Sequence, residues 1–85
     1  MFFNNYDLYL QGTLGIKQPK VLRVLSEMLE LDPSDTVRRE VIRAFGTMRV
    51  TEKKIIRLLK ERERGDGMLA EEAKRVLKIL ETAAA

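Results

Sequence analysis

The chain has 85 residues, 16 of them basic and 13 acidic, for a net charge of +3, and it contains neither Cys nor His. A chain of this length makes one small domain with a modest core. Without Cys there are no disulfides or thiolate metal sites, and without His the commonest general base and the commonest neutral metal ligand are gone. Leu, Glu, Lys and Arg are abundant and aromatics make up only 6%, a mix that favours helix over sheet.

The first residues are the hardest to place. Phe3, Leu8, Leu10 and Leu14 line a helix over about Asn5 to Leu14, although Gly12 and Gly15 disfavour one there. From about Gln18 to Leu31, the residues Val21, Val24, Leu25, Met28 and Leu29 recur at the helical period. Leu22 falls at the edge of that stripe, and Arg23, Glu27 and Glu30 face away. The clearest helix runs from about Pro33 to Met48. At about 100° per residue, Val37, Val41, Ala44, Phe45 and Met48 share one face, with Arg39, Arg43 and Gly46 opposite. Asp32 then Pro33 reads as N-cap and first helical residue, with Ser34 and Asp35 as alternative caps. Asp35 also suits the positive end of the helix dipole.

A further helix over about Thr51 to Arg64 takes Thr51 as its N-cap and Ile55, Ile56, Leu58 and Leu59 as its stripe. Its last turn, Lys60 to Arg64, is polar all round and is expected to protrude into solvent. Gly65-Asp66-Gly67 is the strongest break in the chain. Asp66 is expected to cap a last helix over about Met68 to Glu81, which turns Leu69, Ala73, Val76, Leu77 and Leu80 inward. Thr82 and the closing alanines are expected to fray or to extend it weakly.

Two copies of one pattern run through these elements. Gly12-Thr13-Leu14-Gly15-Ile16 matches Gly46-Thr47-Met48-Arg49-Val50 at a spacing of 34, and Val21-Leu22-Arg23-Val24-Leu25 matches Ile55-Ile56-Arg57-Leu58-Leu59 at the same spacing. An echo at a spacing of 32 links Val37, Val41, Ala44 and Phe45 to Leu69, Ala73, Val76 and Leu77. The unit is a pair of amphipathic helices, A then B, and the chain holds the order B, A, B, A, B. One pair cannot bury its apolar stripe, whereas stacked pairs share a continuous core.

Asp35-Thr36-Val37-Arg38, then Val41, Ala44-Phe45-Gly46 and Met48, resembles the second-helix signature of the HEAT/armadillo class of α-solenoid repeats. Leu10, Gly12 and Leu14-Gly15 echo its close, and Leu69, Ala73 and Leu77 echo it more loosely. Val41 stands where that family usually has Ala, and the third copy lacks the Val-Arg and the final Gly. The tetratricopeptide repeat shares the period, but its Trp and Tyr positions are missing. The resemblance implies an all-α fold, antiparallel helix pairs stacked as a short right-handed solenoid of about five helices, spanning residues 1–85. It implies that Asp35 caps helix B, that Arg38 reaches the Asp of a neighbouring turn, and that B helices line a concave face. That face would carry Arg39, Arg43, Glu71, Arg75 and Lys78, and the convex face Arg23, Lys53, Lys54, Arg57 and Lys60.

Chemistry finds little support. Hydroxylases on HEAT-like scaffolds need His, and glycosylases there use Trp; this chain has neither. Gly12-x-x-Gly15 lacks the Lys-Ser/Thr of a phosphate loop, and Ser26 has no base to activate it. Glu71-Glu72 and Glu61/Glu63 read as solvated pairs on exposed faces. Charge is uneven: −2 over residues 1–37, +6 over 38–64 and −1 over 65–85. The expectation is a protein-binding scaffold module without catalysis or cofactor, whose partner is another protein, an acidic one being one option and self-association through the solenoid ends another. The alternative is a small basic nucleic-acid-binding domain using a ridge of Lys53, Lys54, Arg57 and Lys60. Met1-Phe2-Phe3, Tyr6 and Tyr9 suggest an apolar end that closes the first helix, continues a solenoid or docks on another chain. No apolar run nears the ~18 residues of a membrane span, and no leader pattern is visible, so a cytoplasmic or nuclear location is expected.

Overall fold

A computed structural model describes residues 5–84. Five α-helices occupy them, with no strand among the described residues: α1 (Asn5–Thr13), α2 (Pro19–Leu31), α3 (Asp35–Met48), α4 (Lys53–Glu63) and α5 (Met68–Ala84). None is long and apolar enough to cross a membrane. Phe3 and the Met1-Phe2-Phe3 segment lie outside the described residues.

Helix α3 is the hub, packing against α1, α2 and α5. Helix α1 also lies on α2, and α4 lies on α5 while meeting the other helices only marginally. The central position of α3 explains why two of its faces are buried. Val41, Phe45 and Met48 are in the core as the periodicity predicts, and so are Ile42 and Gly46. Gly46, which falls opposite the stripe on a helical wheel, sits under α5: a Cβ there would stand 3.3 Å from a Val76 methyl. Arg39 is half-buried on the same side. Its Nη1 donates to Met68 Sδ at 3.2 Å, while its Nε is shielded from solvent without a partner.

The stripes of α2, α4 and α5 hold. Val21, Leu22, Val24, Leu25 and Leu29 are buried on α2, Ile55 and Leu59 on α4, and Ala73, Val76, Leu77 and Leu80 on α5; Met28, Val37, Ile56, Leu58 and Leu69 are half-buried against that core. The phase of α1 differs from expectation. Leu8 and Gly12 face inward, whereas Leu10 and Leu14 are 42% and 76% exposed. Gly12 sets this phase. Its bare backbone lets α1 close on α2 until a Cβ would meet Leu25 Cδ1 at 2.5 Å, and residues 10 and 14 then fall on the far side with Tyr6.

Helix ends match the predicted caps only in part, at Ser34, one of the alternatives for α3. The N-cap of α3 is Ser34, whose hydroxyl accepts from the Val37 N–H at 3.2 Å. Asp32 instead ends α2, and its carboxylate accepts from the Ser34 N–H at 2.9 Å. Asp35 stands in the first turn of α3. The N-cap of α4 is Glu52 rather than Thr51, whose hydroxyl is engaged by Lys17. At α5 the Gly67 carbonyl accepts the first helical hydrogen bond, from Glu71, and Asp66 makes no side-chain bond among the described residues. The last turn of α4 is less free than its composition suggests, because Arg62 Nη2 donates to the Leu29 carbonyl at 3.2 Å.

The turns after α1 and α3 are built alike. Gly15 donates to Gly12 and Ile16 to Gln11, both at 2.9 Å; Arg49 donates to Gly46 at 3.1 Å and Val50 to Phe45 at 3.3 Å. These are paired closures of a helix C-terminus around one left-handed residue. That residue is Gly15 (φ 83°) in one turn and Arg49 (φ 54°) in the other, 34 positions apart.

Candidate interaction surfaces

The two sets of charged residues singled out from sequence fall on different surfaces. Arg39, Arg43, Glu71, Arg75 and Lys78 lie along α3 and α5, which pack side by side. The acidic pair there is not simply solvated. Glu72 is buried, with its side chain only 8% exposed, and bridges the two helices. Arg43 Nε donates to Glu72 Oε1 at 3.1 Å, and Arg75 Nε donates to Oε2 at 2.6 Å with Nη2 on the same oxygen. Arg43 Nη1 also reaches Glu40 at 3.1 Å. Both arginine side chains stay about half exposed, at 46% and 53%. A buried carboxylate thus holds two arginines in place while their side chains stay partly open to solvent, an arrangement that leaves N–H donors over for a planar anion.

The other members of that row are looser. Glu71 points outward and pairs with Lys74 at 3.7 Å. Lys78 is exposed one turn beyond Arg75 and has no ion-pair partner among the described residues. The centre of this surface, Glu72, reads from sequence only as half of a solvated pair, whereas it is buried. The signal that finds it is a register across helices: Arg39–Met68, Arg43–Glu72 and Gly46–Val76 are contacts spaced by 29 or 30 residues. Arg38 bridges α3 to α2. It donates to the Glu30 carbonyl at 3.2 Å, and its ion pair at 3.7 Å is with Asp35 of its own helix.

On α4, Lys53, Lys54, Arg57 and Lys60 are all exposed, and none makes an ion pair or side-chain hydrogen bond among the described residues. They do not form a single line. At about 100° per residue, Lys53, Arg57 and Lys60 fall within about 60° of one another, and Arg64 falls among them. Arg64, the C-terminal cap, keeps helical backbone angles and is likewise exposed. Lys54 stands about 100° round the helix, where it shares a groove with Arg23, Glu27 and Glu30.

Two further contacts tie α4 to the rest. Lys17 Nζ lies 3.4 Å from Thr51 Oγ1 and 3.6 Å from Glu52 Oε1. Partial burial works against ionisation of Glu52, but the backbone N–H groups of Glu52 and Thr51 and the Lys17 ammonium outweigh it and hold its carboxyl below the ordinary range. Near α1, burial, then the Glu40 charge and Tyr6, raise the Tyr9 hydroxyl above its usual value. No group of three or more acidic side chains placed to hold a metal ion occurs among the described residues. Comparison with protein-family models, curated proteins and solved structures finds no match to this chain.

Proposed function

We propose that the protein is a HEAT-like scaffold module, a short right-handed solenoid of helix pairs that binds another protein and does no chemistry of its own. What supports the stacking is contact between successive units: Lys17 bonds Thr51, the equivalent position 34 residues on, and Arg62 bonds Leu29, one short of a full repeat at 33 residues back. The like-built turns at Gly15 and Arg49 support it too.

The observation that carries the binding role is the Arg43–Glu72–Arg75 clamp with Lys78 beside it. Arginines already fixed in place lose little side-chain freedom when they meet a carboxylate. The partner is therefore an acidic peptide segment laid across α3 and α5. An array of 15-residue peptides graded in net charge tests this. Acidic peptides should be selected, and Lys78→Glu together with Arg43→Ala should abolish their binding. Selection that ignores peptide charge, or binding that survives both changes, would refute the assignment.

A further inference from the structure

We propose a second, separate site: the α4 ridge of Lys53, Arg57, Lys60 and Arg64 binds the phosphate backbone of nucleic acid without sequence preference. Many of the other cations are matched, whereas Arg23, Arg49, Lys54 and Lys78 are scattered over different elements rather than set in a row. Lys17, Arg38, Arg43, Lys74 and Arg75 each pair with a carboxylate, and Arg39 and Arg62 each hold a hydrogen bond. The four on the ridge have no such partner among the described residues. They fall opposite the buried Ile55 and Leu59, so the packing of α4 itself turns them outward.

The spacing fits a strand of phosphates. The ridge spans eleven residue steps, about 16 Å of helix, and one strand of a duplex advances about 3.4 Å per phosphate. That axial length covers about four to five phosphates of one strand, and four cations can meet at most four of them. The same line argues against a protein partner. It carries no apolar side chain to form the dry centre of a protein interface. It also carries no aromatic on which a base could stack. What it can offer is charge alone, which is the sequence-independent part of nucleic-acid binding.

Fluorescence anisotropy with a mixed-sequence 20-base-pair DNA duplex tests the site. Four phosphate contacts give an expected slope of about −3.6 in log K against log salt, or roughly a hundredfold loss between 50 and 200 mM. The charge reversal Arg57→Glu/Lys60→Glu should lower affinity at least about tenfold. Lys74→Glu, the same change of charge per site on α5, should leave it within about twofold. Helical circular dichroism of each variant checks that the fold is retained, and Arg57→Gln should reduce the salt slope by about one. The proposal falls if the duplex does not bind at 50 mM salt, or if Lys74→Glu weakens binding as much as the ridge variant. It also falls if poly-glutamate binds the ridge more tightly than the duplex, which would make this an acidic-protein site.

Discussion

At the residue scale, the positions that matter most are those where one atom decides an approach or a turn. Phe45 is fully buried at the hub helix. Phe45→Ala should cost about 3–5 kcal/mol, a large share of the stability of so small a domain, and urea unfolding should show it as a collapse of the transition midpoint. Arg49 holds a left-handed backbone that costs a side-chain-bearing residue about 1 kcal/mol, and its counterpart Gly15 avoids that cost. Arg49→Gly should therefore raise the midpoint and Gly15→Ala lower it, each by about 1 kcal/mol or less. Shifts of the same sign for the two changes would mean that the turns are not equivalent. Gly12 and Gly46 show the limit of reading residues singly. Both sit inside helices, where glycine is disfavoured, and only the helix lying on each, α2 or α5, explains it.

At the element scale, the five helices and their inward stripes were legible because their neighbours lie three or four residues away in sequence. Caps were less so. Asp32, Ser34, Thr51 and Asp66 are all plausible caps by type, and the choice depended on competitors such as Lys17, which occupies Thr51 from another turn. Helix α4 is the least buttressed element, with α5 as its one broad contact. Its amides should exchange at lower opening free energies than those of α3 in native-state hydrogen exchange. The Lys17–Glu52 pair makes this pH-dependent. Because the folded state holds the Glu52 carboxyl below its ordinary range, the pair stabilises fully above the unfolded pKa and is lost as pH falls through the folded one. Protection of the α4 amides, taken relative to their intrinsic exchange rates, should thus fall selectively in mild acid, and Glu52→Gln should remove that selectivity.

At the scale of the whole molecule, sequence carried the helical class and the order of elements but not the buried charge. Arg43 and Glu72 lie 29 residues apart, and nothing in either helix alone marks them as partners; a wheel drawn for α5 sets Glu72 at the edge of the apolar stripe, between Ile79 and Val76, without naming the residue that meets it. The assembly divides into a block of α1, α2 and α3 and a hairpin of α4 and α5, joined chiefly where α5 lies along α3. Two smooth helices in such contact can slip by a turn, about 5.4 Å. The Glu72 carboxylate, gripped from both helices, works as a detent against that slip: it selects which turn of α5 meets which turn of α3. Glu72→Leu should accordingly move the unfolding midpoint little yet broaden the amide resonances along the joint as alternative alignments become populated. Sharp spectra in that variant would show that packing at Gly46 and Val76 sets the alignment unaided.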